Sequence, residues 1–362
     1  MKTGRRIECM LVVGFFLSLS LVSKVVAAEK AFYEGKTVTV LLNYAAGGPT
    51  DVEGRIIAKH LVKHIPGRPA VVVQNMAGAG GITATNYLGE VAKPDGLTVG
   101  YFTGSLFHFQ LKEGTRVEAS KYPFIAGVQS VAVSYIRSDV PPGIKQPEDF
   151  IKAQRFKAGG LNVSSSKDVR FRLSFDLLGL QYDYVTGYND SSAARLAVQR
   201  NEVQYHDETL PGYRTQVEPQ MVKTGMVTPL YYTDLVTPDG DVKSSADVPD
   251  LLSFTQFYRK IFGKSPSGIK YEALKAANMS STNMQRSILL APGSPAAATA
   301  AMRQAVTGLA KDEDFIAEAT KVMRFHPRIE IGEEGLKLYQ QITQVSPEIV
   351  AFLKDFIAQQ KK

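Results

Sequence analysis

Cysteine is nearly absent from this chain: 362 residues contain one, Cys9, and there is no tryptophan. A single thiol excludes a disulfide scaffold and any thiolate-rich zinc or iron–sulfur site. The lack of tryptophan narrows the case for an aromatic sugar platform without excluding one. Glycine and proline are modest, at 30 and 18, which excludes a collagen-like or low-complexity chain. No apolar run reaches the roughly 20 residues that a membrane span requires. No run of about five like charges occurs either, so the 42 Lys+Arg against 35 Asp+Glu leave no electrostatic footprint for nucleic acid, and none is expected as a partner. What is present is 44% apolar and 9% aromatic residues, enough to exclude disorder and to bury large cores. The length suggests roughly two domains.

The first 28 residues have the three parts of a secretory signal. Lys2, Arg5 and Arg6 form the charged leader, Met10 to Val22 the short apolar run, and Val26-Ala27-Ala28 the small residues at a cleavage position. Cleavage after about Ala28 and a periplasmic location are expected. Glu8 immediately before Cys9 speaks against a lipid-anchored cysteine. Cleavage removes four basic residues and one acid, leaving 38 against 34, a net charge of +4, and no thiol at all. Such a chain suits an oxidising compartment.

Behind the leader, one unit occurs twice. Thr37–Asn43 is β-branched and apolar, the pattern of a buried strand. Ala45-Ala46-Gly47-Gly48-Pro49 breaks it, and Thr50 with Glu53 has capping-box spacing for a helix carrying Ile56, Ile57 and Leu61, stopped by Pro66-Gly67. Ala70–Gln74 is a second strand, Asn75–Gly81 a second glycine turn, and Ile82–Val91 a second helical stretch. After the Pro94-Asp95-Gly96 turn comes a third strand, Leu97–Phe102, ending in Thr103-Gly104-Ser105. Alternating strands and helices predict a parallel sheet covered by helices on both faces. Ligands of such sheets bind outside the carboxyl ends of the strands, where both glycine turns and Ser105 fall.

Glycines allow successive N–H groups to turn inward, and the amides at a helix start are unpaired and carry the positive end of the helix dipole. Such an edge attracts a carboxylate or phosphate. Three or four charge-assisted bonds, at about 1.5–3 kcal/mol each and less the cost of association, give roughly micromolar affinity. Taken singly, either turn is better explained as a tight βα connection; two on one edge put the two readings level.

Asn43-Tyr-Ala-Ala-Gly-Gly-Pro-Thr-Asp51, Asn75-Met-Ala-Gly-Ala-Gly-Gly81 and Pro94-Asp-Gly-Leu-Thr98 resemble, in order and spacing, the signature of the substrate-binding proteins of tripartite tricarboxylate transporters, the Bug-type solute receptors. The resemblance is specific over about residues 32–105 and looser at Ala291–Pro295, which is similar to the family's later domain-crossing element. It implies an α/β, two-lobed periplasmic binding protein of the type II flytrap kind, each lobe a mainly parallel sheet flanked by helices. The lobes it implies are 29–126 plus 233–362 and 127–232, joined by two crossings whose flexing closes the cleft. It also implies a non-catalytic receptor, with no cofactor or metal, that binds a small carboxylate and delivers it to the membrane permease subunits of the transporter. A monomer is expected.

By position, the resemblance implies that Tyr44, Ala46, Gly47, Gly48, Thr50 and Asp51 of the first turn and Asn75, Gly78, Ala79 and Gly80 of the second hold the carboxylate through amides and bridging water, with Ser105 reaching the same cleft. In the second lobe Ser164, Ser165 and Ser166 stand where the family usually carries a glycine-serine turn. Asp168 is a candidate helix cap, and Arg170 or Arg172 a candidate grip on a second acid group, since guanidinium suits bidentate carboxylate contacts. For each arginine a solvated position on the helix is the plainer expectation. Tyr188 lies in the loop similar to the family's second cleft loop, and Asp207 at a strand end where the family has a short acidic segment. Residues 233–282 are longer and more polar than the family leads one to expect.

Enzyme patterns are incomplete. Gly78-Ala-Gly-Gly-Ile-Thr83 has Thr83 where a dinucleotide-binding turn needs glycine, and no phosphate-loop or nucleophile-elbow pattern occurs. His60 and His64 lie one helical turn apart but lack the rest of a metalloprotease motif, which favours a solvated helix face. His206, Asp207 and Glu208 form the one cluster compatible with acid–base chemistry, in a hydrolase or isomerase. A signalling partner borrowing the receptor fold is the third possibility.

Overall fold

The computed structural model describes residues 30–237 and 239–359. The signal segment and Cys9 lie outside the described residues. Two mixed sheets organise the chain. The first contains β1 (Thr37–Leu42), β2 (Ala70–Asn75), β3 (Thr98–Thr103) and β4 (Phe124–Gln129), joined by β12 (Arg286–Leu290) and β13 (Arg328–Glu330), in the order β13-β4-β12-β3-β1-β2. The second contains β5 (Ala132–Arg137), β6 (Phe156–Gly159), β7 (Tyr182–Val185), β8 (Tyr205–Thr209) and β9 (Val227–Tyr232), in the order β7-β6-β8-β5-β9. A two-residue hairpin pair, β10 (Leu235–Val236) and β11 (Val242–Lys243), follows.

The strands expected from the pattern at 37, 70 and 97 are present, and β1 runs parallel to both β2 and β3. In each sheet four strands run one way, β1 to β4 and β6 to β9, as a mainly parallel sheet requires, and reversed strands make both sheets mixed. β12 runs antiparallel to β3 and β4, and β5 antiparallel to β8 and β9. β13, at the edge of the first sheet, also runs antiparallel to β4. β12 and β5 each enter from a crossing between the sheets, a long-range event with no local sequence signal. Apart from β13, each sheet follows one plan, with a reversed strand inserted between the third and fourth forward strands.

The helices are α1 (Pro49–Leu61), α2 (Ile82–Asn86), α3 (Ser105–Leu111), α4 (Ser166–Leu178), α5 (Ser191–Gln199), the single turn α6 (Leu210–Gly212), α7 (Phe254–Phe262), α8 (Ile269–Asn278), α9 (Ala296–Leu309), α10 (Glu313–Met323), α11 (Gly332–Thr343) and α12 (Pro347–Ala358). The stretch expected to be helical to Val91 continues α2 as a π-helical turn, Tyr87–Val91. Ser346 caps α12 by accepting from the Ile349 amide, and Leu353, Phe356 and Ile357 are buried. Ser294 does not cap α9; its hydroxyl donates to the Ala291 carbonyl.

Residues 233–362 were expected to return wholly to the first lobe, but part of that range covers the second sheet. α8 lies along α4 and α12 along α8. Phe254, Phe257, Tyr271, Leu274, Leu353 and Phe356 share one apolar cluster with Phe150, Phe156, Phe171 and Phe175. The physical reason is α4 itself: Ser166 to Phe175 are all buried, so the helix needs a second layer over its outer face. Aromatic pairs there, such as Phe175 on Tyr205 at 4.6 Å between ring centroids, add about 0.5–1.5 kcal/mol each beyond simple burial. Three segments meet between the sheets. Ser130 donates to the Thr282 carbonyl at 3.0 Å, Ala132 to the Thr233 hydroxyl at 2.9 Å, and the Thr282 and Thr233 hydroxyls bond at 3.1 Å.

Candidate functional site

The two glycine turns of the first sheet converge. Asn43, fully buried, follows β1, and its amide group bonds both ways to the Thr103 backbone (2.8 and 2.9 Å), fixing the end of β1 beside the end of β3. From there the Tyr44 hydroxyl donates to the Gly80 carbonyl at 3.3 Å. Asn75 donates to the Tyr44 carbonyl at 2.9 Å and to Asp51 at 3.0 Å. Thr50 bonds the Thr103 hydroxyl at 3.0 Å, and buried Ser105 bonds Thr85 at 2.9 Å. Ala46 and Gly47 are exposed, and Gly48 precedes α1 as its cap position. The second turn is a run of left-handed residues, Gly78 (φ 141°), Ala79 (φ 47°), Gly80 (φ 65°) and Gly81 (φ 98°). A Cβ on Gly81 would come within 2.2 Å of Asn43. Buried His108 lies beneath Gly80, its pKa lowered to about 4 by burial, so it supports the turn as a neutral ring.

The capping box does not form. Pro49 starts the helix, which places Thr50 inside it, and no side chain caps the start. Glu53 instead faces inward and meets Arg286 at 2.9 Å, both about 1% exposed. Gly47 also departs from expectation: its amide donates to Asp51 at 2.9 Å and is not free for a ligand. Asp51 takes Arg55 as well, at 2.9 Å. Burial alone would raise the Asp51 pKa, but the bonds from Arg55, Gly47 and Asn75 outweigh it and leave the pKa below its ordinary value. Asp51 is thus the resident anion that shapes the first turn. The Gly48 carbonyl accepts from the first turn of the helix, and no bond is seen from the amides of Gly48, Tyr44, Ala46, Ala79 and Gly80 among the described residues.

Burial raises the Tyr44 pKa, Arg286 draws it down, and Asp168 of α4 raises it. Ser165, not Asp168, caps α4, accepting from the Asp168 amide at 3.2 Å. Ser164 donates twice to Asn162, and Ser166 is buried as the first residue of the helix. Asp168 accepts from the Asn162 amide at 2.9 Å and the Tyr184 hydroxyl at 2.6 Å, and burial pushes its pKa up. Tyr188 is half-buried, its amide donating to Gly160.

Neither arginine lies solvated on the helix. Arg170 meets Asp207 at 3.7 Å and donates to Thr282 at 3.0 Å, beside a cavity of about 10 Å³ lined also by Ser134, Tyr231 and Asn278. Arg170 and Asp207 are thereby turned to the crossing segments and not to the ligand edge. Arg172 donates to the Asp168 and Val163 carbonyls and lies over Tyr184 and Phe356. The acid–base cluster is likewise dispersed. His206 bonds the Gly159 carbonyl at 2.9 Å and Lys167 at 3.2 Å, Asp207 meets Arg170, and Glu208 meets Arg195 at 2.7 Å. Burial first, then Lys167, holds the His206 pKa well below its ordinary value. His60 and His64 bond Glu318 and Asp312 of α10 at 2.7 and 2.8 Å, and His60 is buried, which corrects the solvated-face expectation. No group of three metal-binding side chains occurs among the described residues.

Sequence reasoning missed Lys167, Arg286 and Asn43. Only Asn43 had a signal, a polar residue ending an apolar strand.

The arrangement is that of a two-lobed periplasmic binding protein. Protein BugT of Bordetella pertussis (strain Tohama I) is 35% identical over 88 residues, which span 24% of this chain and 26% of BugT. Periplasmic binding protein BugD has the same fold over 90% of this chain and 98% of its own, with a TM-score of 0.61 at 20% identity. MatC of Rhodopseudomonas palustris, solved with malate bound, gives 0.60 at 18% identity over 89% and 99% of the two chains. No family model matches the chain. The chain resembles the Bug-type receptors of tripartite tricarboxylate transporters, in sequence over about a quarter of its length and in fold over nine-tenths of it.

Proposed function

We propose that this chain is an exported, monomeric, non-catalytic receptor that captures a small carboxylate between its lobes and delivers it to the membrane permease of a tripartite transporter. The observation that carries the reading is the direct contact of the two glycine turns through Tyr44, Asn75 and Gly80. Unpaired amides at the start of α1 and in the second turn present positive ends of N–H dipoles to one edge. Malate in MatC and adipate in a second R. palustris structure, Rpa4515, support a carboxylate as the guest. The lobes correspond to the two sheets, and the segments at 130, 233 and 282 form the hinge. No turnover is proposed, since His206, Asp207 and Glu208 each hold a different base.

Thermal melting against a panel of mono-, di- and tricarboxylates tests the reading. An acid at 100 times its dissociation constant is expected to add about 2.7 kcal/mol to the unfolding free energy. Melting curves unmoved by every aliphatic and aromatic acid would overturn it.

A further inference from the structure

The buried charges of the second lobe are not all paired. Lys167, Arg170 and Arg172 are buried beside Asp168, Asp207 and Glu208, and half-buried Arg195 reaches Glu208. Two pairs are made, Arg170 with Asp207 and Arg195 with Glu208. Arg172 is spent on backbone carbonyls and on the rings of Tyr184 and Phe356. In the first lobe, Asp51 pairs with Arg55 and Glu53 with Arg286.

Lys167 is 9% exposed, and no carboxylate oxygen lies within 4.0 Å of its ammonium among the described residues. Two neutral groups hold it, Ser191 Oγ at 2.7 Å and His206 Nε2 at 3.2 Å. His206 donates its other ring hydrogen to Gly159, so the nitrogen facing Lys167 is an acceptor. Asp168, next in sequence, turns its bonded oxygen to Asn162 and Tyr184. An ammonium has three hydrogens, and these contacts use two. Its partners place it at the carboxyl ends of β6 and β7, beside the start of β8, the edge where ligands of such sheets bind. Burying an ammonium without a counter-charge is costly, and a ligand anion removes that cost.

We propose that Lys167, positioned by His206 and Ser191, is the second lobe's anion-binding group, and that the guest is a diacid with one carboxylate on the first-lobe turns and the other on Lys167. The proposal rests on the receptor reading and names its substrate class. His206 and Ser191 are positioning residues, which accounts for a buried neutral histidine that catalysis does not use.

The test is calorimetric binding of succinate, glutarate and adipate, each against its monoamide. One diacid is expected to bind about tenfold to a hundredfold more tightly than its monoamide. Lys167→Met is expected to abolish that difference, leave the monoamide affinity unchanged, and fold with an undiminished melting temperature without ligand. Equal binding of diacid and monoamide to the unaltered protein overturns the proposal, whether or not the variant folds, and so does a difference that survives in Lys167→Met. Binding of monocarboxylates alone also overturns it while the receptor reading stands. Binding of no acid at all overturns the receptor reading itself.

Discussion

The starts of α1 and α4 are the same device built with opposite electrostatics. Each helix follows a forward strand, places an aspartate in its first turn, and folds that carboxylate back onto an amide of the preceding loop: Asp51 onto Gly47, Asp168 onto Asn162. Asp51 gains a guanidinium from half-exposed Arg55, and its pKa falls. Asp168 is fully buried with a phenol as partner, and its pKa rises. One turn deeper the signs exchange: α1 carries the acid Glu53 to Arg286, whereas α4 carries the base Arg170 to Asp207. Backbone topology thus repeats between lobes while the charges on it are free to differ, so that Asp51 takes a guanidinium where Asp168 takes a phenol.

The comparison breaks first at the deeper pairs. Arg286→Met leaves Glu53 buried without a partner and is expected to cost about 3–5 kcal/mol in denaturant unfolding. The looser pair in the second lobe predicts a smaller loss for Arg170→Met, and equal losses would end the distinction. Next, Asp168→Ala strips the Asn162 amide and Tyr184 hydroxyl of their acceptor and is expected to cost about 1–3 kcal/mol by the same measurement.

A smaller contrast separates the two glycine turns. Gly81→Ala meets Asn43 as well as an unfavourable φ, while Gly47→Ala, at φ 85°, meets nothing within 4 Å. Melting should show about 2 kcal/mol or more for the first and about 1 kcal/mol for the second.

The smallest effect is in titration. Carboxyl carbon NMR should place the Asp51 midpoint below, and the Asp168 midpoint above, the ordinary aspartate value of about 3.9. The signs follow for stability. Asp51 contributes above its unfolded pKa, and the contribution is lost as pH falls through its lowered folded value. Asp168 contributes in acid, and its contribution is lost as pH rises through its raised folded value.

Local periodicity made the first sheet legible: β1, β2 and β3, both glycine turns and the start of α12 are written in contiguous residues. The capping box was misread because Pro49 moves the helix start and turns Glu53 inward, toward a strand far along the chain. β12 between β3 and β4, and α8 over α4, depend on returns across the molecule that no window of sequence contains. The convergence of the two first-lobe turns was therefore readable, while the Gly47 amide and the cap at Thr50 were not. In the second lobe Arg170 and Lys167 were indistinguishable as letters, and only burial and partners show that Arg170 is neutralised and Lys167 is not.

A crystal structure with the acid that most raises the melting temperature addresses the account at its centre. It should show a carboxylate within hydrogen-bond distance of the amides in both 44–51 and 75–81. An acid bound anywhere else, with those amides facing only solvent, would contradict it.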